Sequence, residues 1–326
     1  MPPAWQMPDP ALVIRRGRRW DLFFNIMGLS LVVLSLLSLS VLLGGMIHDG
    51  ASRLGWSFLT NFPSRFPEKA GVKSALIGTC LVMLVTACTA IPMGVAAGIY
   101  LEEYARKNWF TTIIEINIAN LAGVPSIIWG LMALGLFIYL FEAWFGTPND
   151  DVTGLGRSIL TAGLTLGLLV LPIVVVATRE AIRAIPQSIR EASYACGATR
   201  WQTVRTHVLP YSLSGILTGS IIALSRAIGE TAPLITIGAL TYIAFLPPAP
   251  FTDRPESQGG GLYGPFSWLS SEFTVLPIQM FNWVSRPDNR FAVNAAASGV
   301  VLLVITLAMN ASAMILRYRL RKRYQW

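Results

Sequence analysis

The sequence predicts an all-α integral membrane protein with six transmembrane helices, and three observations support that class. Of the 326 residues, 53% are hydrophobic and 13% are charged, with a mean hydropathy of +0.56. A soluble domain carries roughly 25% charged residues. The apolar residues form runs near the roughly 20 residues that a helix needs to cross a bilayer. Lysine and arginine concentrate between alternate runs, the pattern typical of multi-span proteins.

The formal net charge of +8 does not indicate a nucleic-acid partner, because the cations flank apolar runs. That placement fits membrane topology and contact with anionic lipid. Cys80, Cys88 and Cys196 lack metal-ligand spacing, and His48 and His207 are far apart in sequence. We therefore expect no disulfide framework, no metal site and no cofactor bound by this chain.

The first part of the chain contains two spans, and the first is too long for a signal-peptide core. In order, the sequence predicts an N-terminal tail at residues 1–21, a first span at 22–47, an external loop at 48–73, a second span at 74–100 and a polar hinge at 102–107. Gly94 and Gly98 in the second span have the spacing that lets helix backbones approach closely in lipid. We expect them to serve packing.

The third span, 111–141, is longer than one straight crossing needs and is interrupted by Gly123, Pro125 and Ser126. Proline removes a backbone donor and disfavours helix at the preceding residue. Broken backbone at membrane depth is tolerated where protein buries it or where it faces a wet cavity. Two interpretations stay open, a kink that serves packing and a gate beside a polar pathway.

The second part of the chain contains three more spans and one long loop. In order, the sequence predicts an external loop at residues 142–157, the fourth span at 158–178, a charged loop at 179–210 and the fifth span at 212–239. A long loop at 240–293, the sixth span at 295–316 and a basic tail at 317–326 follow. The long loop is rich in proline, glycine and aromatic residues. We expect short helices at its two ends, lying on the membrane surface.

The orientation follows from the lysine and arginine residues on each side. The two tails, the hinge and the charged loop together carry sixteen of them, and the opposite loops carry eight. The side with the excess is cytoplasmic by the positive-inside rule. Both termini and the charged loop therefore lie in the cytoplasm.

The charged loop predicts a short ordered helix over residues 186–199. Pro186 suits the first turn of a helix, and Ile189, Ala192 and Ala195 recur at helical spacing. Gly197 then ends the helix. A short helix with one apolar face in a polar loop needs a groove to fill or a lipid interface to lie on.

These residues carry a resemblance to a known family. The run Glu191, Ala192, Ser193 with Gly197, followed by Leu209 and Pro210, resembles the EAA loop of permease subunits of ATP-binding-cassette importers. Serine at 193 and histidine at 207 depart mildly from the usual pattern. The resemblance covers at least residues 74–316. It implies the type I importer permease fold, with 186–199 as the coupling helix that docks a cytoplasmic ATPase.

Two further segments resemble the PstA-type permeases of phosphate importers. One is the run from Leu121 to Gly130, and the other is the run Ser225, Arg226, Ala227, Ile228, Gly229, Glu230, Thr231, Ala232, Pro233. The resemblance implies a phosphate pathway in the bacterial inner membrane. It also implies a PstC-type second permease subunit, a PstB-type ATPase dimer and a PstS-type periplasmic binding protein.

Arg226 and Glu230 stand out on physical grounds as well. A charge at the centre of a membrane helix costs about 2.5–3.5 kcal/mol on insertion scales, so such residues are functional candidates. They are four residues apart and can pair on one helix face. A guanidinium suits oxyanions through its forked donors, and the carboxylate can accept the proton of hydrogen phosphate, which sulfate lacks. The alternative is an ion pair that only locks helices together.

Neighbouring residues complete the predicted sites. Ser225 and Thr231 are candidates for the substrate pathway, and Gly229 with Pro233 makes the fifth span pliable enough to gate. Arg179, at the cytoplasmic end of the fourth span, is a weaker pathway candidate. Its alternative role is to snorkel from the helix end.

The chain contains no glycine-rich phosphate loop with Lys-Ser/Thr, so we expect no ATP hydrolysis by this subunit itself. ATP and Mg²⁺ would be used by a partner. Permeation of molybdate, sulfate or phosphonate is the alternative within the importer class. A passive anion channel would not need the ordered 186–210 segment, and an enzyme acting on lipid phosphates would need clustered nucleophiles, which the sequence lacks.

Overall fold

The computed structural model describes residues 10–145, 158–248 and 264–323. The predicted external loop at 142–157 lies mostly outside this part, as does the middle of the 240–293 loop. The described chain is a bundle of long helices. Five of the described helices are each long and apolar enough to cross a membrane, and a bent pair makes a sixth span where it is taken as one. The predicted all-α membrane class is confirmed, and the predicted six spans agree with the five helices and the bent pair.

The helices are named here in chain order. The first six are α1 (Pro10–Gly50), α2 (Trp56–Thr60), α3 (Lys73–Ile99), α4 (Trp109–Leu121), α5 (Ser126–Phe145) and α6 (Ile159–Arg183). They are followed by α7 (Gln187–Ala195), α8 (Arg200–Thr203), α9 (Leu209–Gly229), α10 (Ala232–Ile237), α11 (Leu276–Val284) and α12 (Arg290–Arg323). Two π-helical turns, Tyr100–Tyr104 and Val204–Val208, follow α3 and α8. Short 3-10 turns occupy Ala51–Arg53 and Gly264–Ser270.

Helices α3, α6 and α9 form the centre of the bundle, and glycines set the distance between them. A Cβ atom added at Gly94 would lie 2.7 Å from the Val174 side chain, and one at Gly98 would lie 2.7 Å from Thr178. Only glycine permits so close an approach of α3 to α6. The packing role predicted for these two glycines is confirmed, and α9 packs on α6 through glycines as well.

Helix α1 stands apart from this centre. None of the residues in its most apolar stretch is buried. Its contacts lie near its C-terminal end, where Gly50 meets Ala297 and Met46 meets Gly299 of α12. The apolar surface that remains suits lipid or a second membrane protein.

The third span is broken where the sequence predicted an interruption. Helix α4 ends at Leu121, α5 begins at Ser126, and the two axes make an angle of 112°. The residue before a proline is disfavoured in helix, so Val124 cannot easily continue α4 into Pro125. The single interrupted helix expected over 111–141 is therefore two helices, joined by a sharp turn.

The fifth span differs from the one helix expected over 212–239. Helix α9 ends at Gly229, Glu230 is extended with φ −75° and ψ 123°, and α10 starts again at Ala232. Pro233 lies in the first turn of α10. It has no N–H to donate to the carbonyl of Gly229, so the helix stops and restarts at this point.

Helix α11, in the long external loop, is largely buried in the bundle. Leu276 and Trp283 are fully buried, and the Trp283 ring centre is 5.9 Å from that of Phe58. The Leu276 N–H donates to Thr79 Oγ1 at 3.0 Å, which ties α11 to α3. Short helical segments expected in this loop are present at Gly264–Ser270 and Leu276–Val284, and the apolar side chains of α11 pack between α3 and α12.

Both predicted tails are largely helical. Helix α1 begins at Pro10, inside the segment expected as the tail 1–21. Helix α12 continues to Arg323, through most of the predicted tail 317–326. The spans are therefore the middle parts of longer helices, and the basic residues extend those helices beyond the apolar stretch.

Candidate functional site

Four of the predicted pathway residues, Ser225, Arg226, Glu230 and Thr231, lie at the break in the fifth span, and Arg179 does not. Arg226 Nε is 3.3 Å from Glu230 Oε1, so the predicted pairing of their side chains is present. The two residues are not on one continuous helix, since Glu230 follows the end of α9. The Arg226 side chain is 42% exposed and that of Glu230 is 18% exposed. Arg226 is thus held by a single nitrogen within the described chain, and it remains open to its surroundings.

Ser225 contacts a residue that the sequence analysis missed. Its hydroxyl donates to Asn310 Oδ1 of α12 at 2.6 Å and also contacts the Ile221 carbonyl. The contact ties α9 to α12 beside Arg226. The signal available in the sequence was a lone asparagine inside an apolar span, where polar side chains bond across helices. We call Ser225, Arg226, Glu230 and Asn310 the pathway cluster.

The two signature segments of the sequence come together in space. A Cβ atom added at Gly130 of α5 would lie 2.6 Å from Pro233 Cα of α10, so the two backbones touch. Trp129 is buried in the same apolar cluster as Ala227 and Ile228 of α9. The break in the third span therefore supports the break in the fifth. Thr231 precedes α10, and its carbonyl accepts the Ile235 N–H.

The remaining predicted gate residues form the turn between α4 and α5. The Gly123 N–H donates to the Asn120 carbonyl at 2.9 Å, and the Pro125 carbonyl accepts from Ile128 at 3.0 Å. Ser126 is the first residue of α5. The turn is thus hydrogen-bonded on both sides of Pro125.

Arg179 is not a snorkelling side chain, contrary to the alternative role that the sequence suggested. It is 12% exposed, and it pairs with Glu102 at 3.4 Å and with Glu115 at 2.8 Å. The two carboxylates offset its charge. Arg183, one turn further along α6, also pairs with Glu102, at 3.0 Å.

The charged loop contains the predicted short helix, α7. Pro186 stands immediately before it in extended conformation, and Gly197 ends it with a φ of +81°, a value that favours glycine. Thr199 then caps α8 in a reciprocal arrangement with Gln202. Leu209 and Pro210 open α9. We call residues 186–208 the docking segment.

The docking segment has an inner and an outer face. Arg190 and Ser193 are buried, and Ser193 Oγ lies 2.9 Å from Thr203 Oγ1, which holds α7 against α8. Glu191, Ala192 and Gly197 are exposed. Of the residues expected to dock an ATPase, Ser193 therefore braces the segment internally, and Glu191, Ala192 and Gly197 face outward. Leu209 and Pro210, at the start of α9, are half-buried.

Comparison with known proteins agrees with this architecture. Residues 90–326 match the family described as binding-protein-dependent transport system inner membrane component. A probable ABC transporter permease protein, YqgI of Bacillus subtilis, is 31% identical over 83% of this chain and 81% of its own length. The phosphate transport system permease protein PstA of Mycobacterium leprae is 34% identical over 79% of this chain and 74% of its own.

Solved structures share the fold at low sequence identity. A bacterial alginate ABC transporter in complex with a periplasmic protein aligns with a TM-score of 0.64 at 15% identity, over 94% of this chain and 98% of that one. The MetNI methionine ABC transporter aligns with a TM-score of 0.52 at 18% identity, over 76% and 94%. The resemblance to PstA-type permeases is confirmed, and the chain belongs to the family of binding-protein-dependent transport system inner membrane components, as a multi-pass protein of the inner membrane.

Proposed function

We propose that the chain is a permease subunit of an ATP-driven importer of inorganic phosphate and forms half of the translocation pathway. The observation that carries this proposal is the Arg226 and Glu230 pair at the break in the fifth span. The guanidinium offers donors to phosphate oxygens, and the carboxylate accepts a phosphate proton. The names of several relatives, phosphate transport permeases of the PstA type, support the same substrate.

The anion must also leave the site, so the site must not hold it too tightly. Glu230 would weaken anion binding because its negative charge partly offsets the positive charge of Arg226. Ser225 and Thr231 would line the same path, and Arg179 would lie near its cytoplasmic end. Gly123, Pro125, Ser126, Gly229 and Pro233 surround the two helix breaks, where we place the gate.

The power source would be a separate ATPase that uses ATP and Mg²⁺. The exposed outer face of α7, with Glu191, Ala192 and Gly197, would dock into it, and the turn of α9 at Leu209 and Pro210 would pass the motion on. The remaining partners would be a PstC-type second permease, a PstB-type ATPase dimer and a PstS-type periplasmic phosphate-binding protein. The chain would carry no catalytic site of its own.

The test is uptake of phosphate by the reconstituted complex, with and without ATP, and with sulfate and molybdate as competitors. We expect ATP-dependent phosphate uptake that neither competitor inhibits. Transport of another oxyanion would support the assignment as an importer and contradict phosphate as its substrate. Uptake without ATP would leave a passive anion channel and would overturn the docking role of the 186–208 segment.

A further inference from the structure

The guanidinium of Arg190 joins three elements at the cytoplasmic end of the bundle. It belongs to α7, the proposed docking helix. Its Nη1 donates to the Ile185 carbonyl at 2.9 Å and its Nη2 donates to the Ile182 carbonyl at 3.0 Å, at the end of α6. Its Nε and Nη2 reach Glu103 Oε1 at 3.0 and 2.7 Å.

Glu103 lies on the π-helical turn Tyr100–Tyr104 that ends α3. Its side chain is 8% exposed, and that of Arg190 is 11% exposed. Removing one member of a buried ion pair leaves the other as an unpaired buried charge, which is strongly unfavourable. A displacement of α7 should therefore take the end of α3 with it. Single π-helical turns of this kind occur often at functional sites.

The neighbouring residue extends the connection. Glu102, on the same turn, pairs with Arg179 of α6, and Arg179 pairs with Glu115 of α4 at 2.8 Å. The pair of Arg190 with Glu103 and the pairs that join Glu102, Arg179, Arg183 and Glu115 are connected because Glu102 and Glu103 are adjacent in the chain. We call the two sets together the ion-pair network, and it links the docking segment to α4.

Helix α4 leads directly to the break before α5. At the other side of that break, Gly130 touches Pro233 of α10, next to Glu230. Every step from Arg190 to the pathway cluster is therefore an ion pair, a close backbone contact or a stretch of the chain itself. A continuous chain of contacts is compatible with coupling but does not measure it, so a coupling experiment is needed.

We propose that Glu103 and Arg190 are a positioning pair that transmits displacement of the docking helix to α3 and, through Glu102, Arg179 and Glu115, to the broken third span. The inference rests on the proposed function, since it requires that an ATPase moves α7. Neither residue would touch phosphate or ATP. Their removal should therefore separate ATP hydrolysis from transport.

The experiment compares uptake per ATP hydrolysed in the complete complex for Glu103→Gln, Arg190→Gln and the double variant, with the amount of bound ATPase measured in each. We expect each single variant to retain its ATPase and to lower the ratio roughly tenfold, within the about 5- to 150-fold range typical of coupling between sites. The double variant should be no worse than either single one, because both remove the same contact. Arg190→Lys, which keeps the charge, should lie closer to the wild type.

Arg290→Gln is the matched control. It removes an arginine from an exposed pair with Asp288 at the opposite end of the bundle, and its ratio should be unchanged. An unchanged ratio in both single variants would overturn the inference. So would uptake that falls only in proportion to lost ATPase, or single effects that multiply in the double variant. The wild-type arm tests the proposed function separately, since it alone reports whether the complex imports phosphate with ATP.

Discussion

Two arginines of this chain, Arg190 and Arg226, have different roles because their surroundings differ. Arg190 is nearly enclosed, and its nitrogens are satisfied by Glu103 and by two helix-end carbonyls. Among the described residues, Arg226 has one ion pair, to Glu230, and its side chain remains partly exposed. A guanidinium whose three nitrogens all donate within the protein serves to hold structure together, whereas one with free nitrogens can bind an anion.

At Arg226 we predict that Arg226→Gln lowers ATP-dependent phosphate uptake roughly ten- to hundredfold, because a hydrogen bond to a charged group contributes about 1.5–3 kcal/mol. The complex should assemble normally, since this partly exposed side chain has one weak ion pair in the described chain. Uptake by the reconstituted variant is the measurement. Uptake at the wild-type rate would leave only the helix-locking role for the pair.

At Glu230 we predict that Glu230→Gln weakens discrimination against sulfate. The carboxylate can accept the proton that hydrogen phosphate carries, while it repels the fully ionised sulfate. The amide removes that repulsion and keeps the shape. Competition of sulfate with phosphate uptake is the measurement, with Arg226→Gln as the comparison that weakens both anions. Unaltered selectivity would contradict the role given to Glu230.

At the scale of helices, close packing through glycine holds the centre of the bundle together. Lipid is as apolar as the helix surfaces, so association in the membrane depends on close fit. The α3 helix obtains that fit through Gly94 and Gly98 against α6. The docking helix α7 is held in place instead by the residues at its ends and by the hydrogen bonds of its buried polar face, because it lies among charged residues outside the apolar spans.

For these helices we predict that Gly94→Val lowers the thermal stability of the purified chain, because overpacking costs about 1–3 kcal/mol. The new side chain would meet Val174 of α6. Gly28→Val in α1 is the matched control, as nothing lies within 4 Å of a Cβ added there. Thermal unfolding of both variants in detergent is the measurement, and an equal change in the two would contradict the packing role.

At the scale of the molecule, α1 and α7 each leave a surface open in the part of the chain that the structure describes. Helix α1 exposes apolar residues along most of its length, and α7 exposes its outer face with Glu191 and Ala192. The first lies along a membrane span, and the second lies beside the cytoplasmic ion-pair network. The two surfaces therefore suit different partners, one in the bilayer and one in the cytoplasm.

Cys196 provides a test of this arrangement. It is exposed next to Gly197, at the end of α7. In a chain with Cys80→Ser and Cys88→Ser, we expect a membrane-impermeant thiol reagent to label Cys196 in inside-out vesicles and not in right-side-out vesicles. Added ATPase should slow the labelling, because it covers the outer face of α7. Labelling from the outside would contradict the orientation, and labelling unaffected by ATPase would contradict docking there.

The sequence by itself determined the features whose signals are local. Apolar runs placed the spans, because a segment that crosses a bilayer exposes apolar side chains to lipid and satisfies its backbone hydrogen bonds within its own helix. Pro186 and Gly197 marked the limits of α7, since each restricts or permits particular backbone angles. The interruption at Pro125 was visible for the same reason. The separation of four residues also predicted the pairing of Arg226 with Glu230, although Glu230 lies just beyond the end of α9 and not on the same continuous helix.

Only the tertiary structure decided the contacts between residues distant in sequence. It placed Arg179 between Glu102 and Glu115, turned Ser193 inward, buried α11 and brought Asn310 to Ser225. Hydropathy and helical spacing describe one element at a time. They do not record which side of an element faces a neighbour, because that depends on the packing of α3, α6, α9 and α12 as a whole.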